Sequence, residues 1–448
     1  MSLDQHDLHQ DHLDRPAPTE QRASLDQRLA DARRHYADVR PVSRSLAQRA
    51  TEVFPGGNTR TVLHFDPFPF RVTTASGSEI LDADGHPYVD LLGNYTAGLL
   101  GHSPEPVRVA IANALERGWA FGATHPDEIT FAQLIVDRFP SIEQVRITNS
   151  GTEANLLAIA AAKHHTGRTK VLGFEGGYHG GVLYFGDHRE ANVPHEFVIV
   201  PYNDSDALEN AFAVHPDLAC ALIEPMQGGS GCIVADDQFL ARLRALCTEH
   251  GAILIFDEVM TSRLSPGGAQ QAIGVLPDVT TLGKYLAGGM SFGAFGGNRT
   301  IMSVYDQNSA RPLGHAGTFN NNVLTMAAGI ATLTEVLTDE VLIRTNQRGD
   351  DLRARLSAIF AENDLPLSVT GRGSLLNIHG TRRPIRSTRD LAGADDRWRE
   401  LLFFDAIDNG FYFARRGFIA LSIEVTDRQI DQFCAFVQHW ASTAPSDD

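Results

Sequence analysis

Four short runs in this chain place reactive side chains directly after stretches that read as strands. TTLGKYLAGGM, 280–290, delivers Lys284 between an apolar run and a glycine-rich turn. A lysine kept from water loses part of its preference for the charged form and can act as a neutral amine toward an aldehyde. AILIFDEVMTSR, 252–263, is an apolar run that ends in Asp257 and Glu258, and a carboxylate there is costly unless something positive meets it. VRITNSGTEANLLAIAAAKHHTG, 145–167, passes through a tight turn into a helix starting near Ser150. The free N–H groups at that start, around Gly151, and the Ser150 and Thr152 hydroxyls make an anion site. Ser150 followed by Glu153 also reads as a capping box, and the two readings are compatible. FEGGYHGG, 174–181, sets Tyr178 and His179 between glycine pairs, where a flat ring can stack on an aromatic ligand.

The combination says more than any one run. An amine and a carboxylate 27 residues apart, each at a strand end, follow a phosphate turn and a stacking ring. That is the arrangement pyridoxal phosphate needs: a carboxylate keeps the pyridine nitrogen protonated, so the ring accepts electrons from a carbanion, while the amine carries the aldehyde.

The elements that must position these groups are legible from periodicity. Strand-like runs at 145–148, 171–174, 197–201, 221–223, 253–256 and 279–282 alternate with helical ones. This rhythm predicts an α/β fold with a mostly parallel sheet flanked by helices, whose ligands sit at the carboxyl ends of the strands. A helix is expected at 24–39, an irregular loop at 54–70, an antiparallel meander at 70–92, and helices at 101–118 and 125–139. Further on, helices are expected at 321–337, up to about 362 and at 398–410, strands at 374–379 and 418–423, and a final helix capped by Thr426 and Gln429. The chain is expected to divide into a disordered tail at 1–23, a segment at 24–96 joining a smaller α+β domain, a large cofactor-binding domain at 97–325 and a C-terminal small domain at 326–448.

Composition excludes several function classes. The chain has 448 residues, 43% of them apolar, and a net charge of −17, which suits small-molecule partners and opposes a nucleic-acid surface. Cys220, Cys232, Cys247 and Cys434 show no CxxC spacing, as expected of a reducing cytoplasm. There is no export signal and no 18-residue apolar run, so no membrane partner is expected. His6, His9 and His12 lie three apart in the polar tail, where no fixed geometry supports a metal.

The runs NSGTEAN (149–155), GGYHG (176–180), EPMQG (224–228), FDEVMTSR (256–263), TTLGKYLAGGMSFGAFGG (280–297) and GTFNNN (317–322) resemble the class III, or ω-type, pyridoxal-phosphate aminotransferases and the related glutamate-1-semialdehyde aminomutases. The likeness extends over 43–440. It implies a fold type I homodimer with active sites at the subunit interface. It further implies that Lys284 links to the cofactor, Asp257 meets the pyridine nitrogen, Tyr178 stacks on the ring, and Ser150, Gly151 and Thr152 hold the phosphate. Thr318 would reach the phosphate from the neighbouring subunit, and Glu224, His179 and Met260 would lie around the cofactor.

Substrate identity rests on two arginines. Arg60, among the aromatic residues of FPGGNTRTVLHFDPFPF (54–70), and Arg416, in FYFARRGFIALS (411–422), are candidate carboxylate clamps. TRTVLHFDPFPF, NYTAG (94–98) and ARRGF (414–418) are similar to the β-phenylalanine aminotransferases. That implies an aromatic β-amino acid donor held by Arg60, an α-keto acid acceptor such as 2-oxoglutarate or pyruvate held by Arg416, and an apolar pocket for the aryl group. The alternatives are a glutamate-1-semialdehyde 2,1-aminomutase, which needs no second substrate, another ω-amino acid or amine aminotransferase, and a ligand-binding protein without turnover, against which the presence of both Asp257 and Lys284 argues.

Overall fold

The computed structural model describes residues 24–445 apart from His188; the expected tail and its three histidines fall outside the described residues. Helix α1 (Leu25–Asp38) forms where periodicity places it. Ser24 caps it by accepting from the Gln27 N–H at 3.3 Å, and Leu25, Leu29, Ala32 and Tyr36 are buried. After α2 (Pro41–Thr51) and the irregular 54–70 loop come β1 (Val72–Ser76), β2 (Glu79–Asp82) and β3 (Pro87–Asp90), an antiparallel meander. Helices α3 (Glu105–Arg117) and α4 (Pro126–Arg138) follow.

The strand and helix rhythm then gives β4 (Gln144–Thr148), α5 (Gly151–Thr166), β5 (Lys170–Phe174), β6 (Glu196–Val200), α6 (Ser205–Val214) and β7 (Leu218–Ile223). A short hairpin, β8 (Met226–Gln227) and β9 (Ile233–Val234), precedes α7 (Asp237–His250), β10 (Ile253–Asp257), α8 (Gly268–Ile273), β11 (Val279–Gly283) and β12 (Gly293–Gly297). Seven of these strands form one sheet in the order β4-β12-β11-β10-β7-β5-β6. Leu172, Phe174, Leu254 and Phe256 feed a core on one face, and Val171, Leu222, Ile253 and Ile255 a core on the other. Burial on both faces is why these strands read as continuous apolar runs.

Strand β12 was not expected. Its sequence, GAFGG, lacks the β-branched residues that mark strands, yet it runs antiparallel to both β11 and β4. The other six strands share one direction, so their carboxyl ends lie along a single edge. The remainder comprises α9 (Arg299–Met302), α10 (Val323–Ala331), α11 (Asp339–Glu362), β13 (Ser368–Arg372), β14 (Leu375–His379), α12 (Asp396–Asp408), β15 (Phe411–Tyr412), β16 (Phe418–Ala420) and α13 (Asp427–Thr443). The helix expected over 321–337 changes to a π turn at Thr332–Val336, where the Thr332 hydroxyl donates to the Ala328 carbonyl at 2.8 Å.

The two ends of the chain share a core, with Leu25, Tyr36, Phe68 and Tyr88 packed into one cluster with Leu352, Trp398, Phe404 and Phe433. β15 adds to the meander parallel to β3, and β13, β14 and β16 form a separate sheet. The Tyr36 ring lies 5.4 Å from the rings of both Phe68 and Phe404, and Phe65 lies 5.1 Å from Phe403. This aromatic cluster anchors the loop that carries Arg60.

Packing is tight where β12 meets the turn before α5. Gly293 pairs with Thr148, and a Cβ there would overlap the Ser150 carbonyl oxygen. Gly293→Ala should therefore destabilise the protein by about 1–3 kcal/mol, the usual cost of overpacking. Thermal or urea denaturation measures this; an unchanged midpoint would show that the Ser150 turn moves aside freely.

Candidate active site

Most of the residues singled out in the sequence follow the carboxyl ends of the parallel strands: Ser150 after β4, Tyr178 after β5, Glu224 after β7, Asp257 at the end of β10 and Lys284 after β11. Asp257 is buried, and three donors converge on it. Asn155 Nδ2 and His179 Nδ1 donate to Oδ2, each at 2.8 Å, and the Val259 N–H donates to Oδ1 at 3.0 Å. The Thr281 hydroxyl in turn donates to Asn155 Oδ1 at 2.7 Å and fixes that amide. His179, expected near the cofactor, is thus a support for the carboxylate.

Asn155 is a site residue that sequence reading passed over. It lies inside NSGTEAN, where the sequence alone reads it as an interior residue of the helix. The available signal was its place on the face of α5 that also buries Ala154, Ala158, Ile159 and Ala162, where an amide needs a partner.

Lys284 opens the turn directly after β11, three residues beyond Thr281, which pairs with Asp257 on the neighbouring strand. Its φ of 58° is left-handed, a conformation that costs about 1–3 kcal/mol in a non-glycine residue. Burial lowers the Lys284 amine from 10.5 to about 8; Asp257 and Glu224 oppose the shift, and Arg416 and Arg60 add to it. The Lys284 ammonium donates to the Tyr95 carbonyl at 2.6 Å.

At the start of α5, Ser150 Oγ accepts from the Glu153 N–H at 3.2 Å and Glu153 Oε2 accepts from the Asn149 N–H at 3.0 Å. The cap leaves the first-turn N–H groups of Gly151 and Thr152 without helical acceptors. Thr152 Oγ1 faces the Gly180 backbone, where a Cβ would fill the space in front of it. Glu224 is buried and clamps two turns: its Oε1 accepts from the Tyr178 N–H at 2.9 Å and its Oε2 from the Gly228 N–H at 3.0 Å. Burial raises its carboxyl above the usual range. The Tyr178 ring is 49% exposed and so open to stacking. Met260 packs against Gly228, whose Cβ would overlap its sulfur. An anion cradle, an exposed flat ring, a buried carboxylate and a low-pKa amine together fit a phosphorylated pyridine aldehyde.

Of three further expected residues, Thr318 stands apart from this group, and Arg60 and Arg416 join it through Tyr95. Thr318 is exposed, and no hydrogen bond joins it to 150–152 among the described residues; its loop is held by Asn320 Oδ1, which accepts from Asn149 Nδ2 at 2.9 Å. Arg60 is exposed and donates to Asn94 Oδ1 at 2.7 Å. Arg416 donates to the Gly229 carbonyl, while its buried Nε lacks a partner. Both arginines reach Tyr95, with guanidinium carbons 5.7 and 5.5 Å from its ring centroid. Arg416 also lines two cavities. One, of about 160 Å³, has Val62, Phe65, Tyr95, Phe403 and Tyr412 among its walls; the other, of about 550 Å³, is polar, with Ser230, Asn377 and Arg399.

Comparison with known proteins points the same way. The family model for class-III aminotransferases matches residues 64–439. A β-phenylalanine transaminase from Variovorax paradoxus is 47% identical over 417 residues, covering 93% of this chain and 96% of that one. The crystal structure of a β-phenylalanine aminotransferase from the same organism superposes with a TM-score of 0.91 at 46% identity, covering 93% of this chain and 97% of that one. A transaminase with PLP bound superposes with a TM-score of 0.82 at 32% identity, covering 90% and 98%.

The lowered amine makes a pH prediction. Only neutral Lys284 condenses with an aldehyde, so apoprotein should take up pyridoxal phosphate at a rate that rises with pH and levels off above a midpoint near 8. Stopped-flow absorbance reads this; a rate still climbing toward 10.5, the value of an ordinary lysine, would show that burial does not depress the amine.

Proposed function

The chain belongs to the class III aminotransferases, and on that premise we propose that it is a pyridoxal-phosphate-dependent enzyme that moves the amino group of an aromatic β-amino acid onto an α-keto acid such as 2-oxoglutarate or pyruvate. The observation that carries the substrate class is that the Lys284 amine and two guanidinium groups, from Arg60 and Arg416, converge on one residue, Tyr95. A reactive amine between two arginines suits substrates that bring a carboxylate in each half of the reaction. The small cavity beside Tyr95, walled by aromatic and aliphatic side chains, offers a place for an aryl group.

Bound pyridoxal phosphate would supply an aldehyde carbon and an electron-accepting pyridinium ring. Ser150, Gly151 and Thr152 would hold its phosphate, and Tyr178 would cover one face of the ring. Asp257, kept in place by Asn155 and His179, would pair with the ring nitrogen. Lys284 moves the proton of the amine-bearing substrate carbon, a task suited to an amine with a pKa near working pH. Arg60 binds the carboxylate of the β-amino acid and Arg416 that of the acceptor, each through charge-assisted hydrogen bonds. Glu224 acts at one remove by fixing the backbone of Tyr178, and Met260 packs beside the same turn.

The same reading makes the protein a homodimer in which the exposed Thr318 completes the phosphate site of its partner. No helix among the described residues is long and apolar enough to cross a membrane, and the reading places the enzyme in the cytoplasm.

Purified enzyme should consume one keto acid for each β-phenylalanine deaminated, as coupled chromatography would show; amino-group movement with no keto acid consumed would indicate an aminomutase. Lys284→Ala should lose the visible absorbance of the lysine-linked cofactor and fall to background turnover, and a robustly active variant would refute the assignment. Arg60→Ala should raise KM for β-phenylalanine about tenfold or more, since a charge-assisted pair contributes roughly 1.5–3 kcal/mol. Unchanged KM would remove Arg60 from the site.

A further inference from the structure

Residues 93–96 form a run of four positive φ angles: Gly93 at 52°, Asn94 at 46°, Tyr95 at 52° and Thr96 at 78°. Three of these are not glycine, and such backbone persists only where its surroundings over-determine it. Here they do. Asp90 Oδ1 accepts from the Leu92 and Gly93 N–H groups at 2.9 and 3.0 Å, the Gly98 N–H donates to the Gly93 carbonyl at 2.8 Å, and Thr96 is fully buried.

What the strained turn delivers is orientation in three directions. The Tyr95 carbonyl receives the Lys284 amine at 2.6 Å. The Tyr95 hydroxyl donates to the Val62 carbonyl at 2.9 Å, and the neighbouring Asn94 side chain accepts from Arg60 at 2.7 Å, so both ends of the Arg60 loop segment are tied to the turn. The Tyr95 ring lies nearly parallel to Phe418, 5.9 Å away at 11°, and Arg416 stands 5.5 Å from one ring and 5.3 Å from the other. Neither Arg60 nor Arg416 makes an ion pair with a carboxylate among the described residues. Each guanidinium is held by a neutral oxygen and by the electron-rich face of a ring, contacts that orient a cation without cancelling its charge.

We propose that Tyr95 is a positioning residue for substrate carboxylates, setting Arg60 through its hydroxyl and its neighbour Asn94, Arg416 through its ring, and the distance of both from Lys284 through its carbonyl. This rests on the proposed transamination of carboxylate-bearing substrates and deepens it: the enzyme's preference for an amine that carries a carboxylate over one that does not depends on how Tyr95 sets the two arginines.

Calorimetric titration of the holoenzyme separates this from a packing role. The probes are 3-phenylpropanoate, which keeps the carboxylate of β-phenylalanine but lacks its amine, and the neutral 3-phenylpropanamide. Wild type should bind the carboxylate about tenfold or more tightly than the amide. Tyr95→Leu should erase most of that preference by weakening the carboxylate alone. Tyr95→Phe, which keeps the ring but frees Val62, should lose it in part, and it decides the matter if the leucine variant does not fold. A preference retained in a folded Tyr95→Leu, an equal loss for both ligands, or an unchanged preference in Tyr95→Phe when it stands alone would overturn the proposal. Turnover of β-phenylalanine by wild type is read in parallel. If wild type neither turns it over nor prefers the carboxylate, the functional reading falls and this inference with it; if wild type does both, failure in the variants counts against Tyr95 only.

Discussion

A carboxylate buried at the carboxyl end of a central strand is the constraint on which the rest of this site depends. Asp257 lies between strands whose neighbours are apolar on both faces, so its oxygens must be met by donors or by a cationic ligand. Asn155, His179 and the Val259 N–H meet it from three separate segments, and Thr281 steadies Asn155 from the next strand. That network also fixes relative positions. It ties α5, whose start carries Ser150 and Thr152, to the turn after β5, which carries Tyr178, and to β11, whose continuation is Lys284.

The same buried charge shapes the amine. Lys284 is depressed by burial and by the two arginines, while Asp257 and Glu224 pull its pKa back up. The balance leaves an amine that is mostly protonated at neutral pH yet deprotonates within reach of it, suitable for both covalent attachment and proton transfer. Strain gathers at the same place: Lys284, Asn94, Tyr95 and Thr96 all adopt positive φ. The rigid sheet supports the first, and the Asp90 cap supports the others.

Much of this was legible in the sequence, for a local reason. Lys284, Tyr178 and Ser150 to Thr152 each follow an apolar run and stand beside glycine or at a helix start, Asp257 ends such a run, and that pattern is written in adjacent residues. The central parallel strands β5, β7, β10 and β11 were legible because burial on both faces leaves runs with few polar residues. β12 was not, since glycine is chosen there for the approach of the Ser150 backbone rather than for strand propensity. β15 contributes only two residues, too few for any period to show.

The sequence by itself determined the six parallel strands and the reactive side chains that follow them, because short-range pattern dictates strand, turn and helix start. Only the tertiary structure decided that His179 and Asn155 serve Asp257, that Glu224 clamps Tyr178, and that Arg60 and Arg416, from opposite ends of the chain, meet at Tyr95. Those relations depend on contacts between residues far apart in sequence, whose partners are chosen by how the two cores pack and not by any neighbour along the chain.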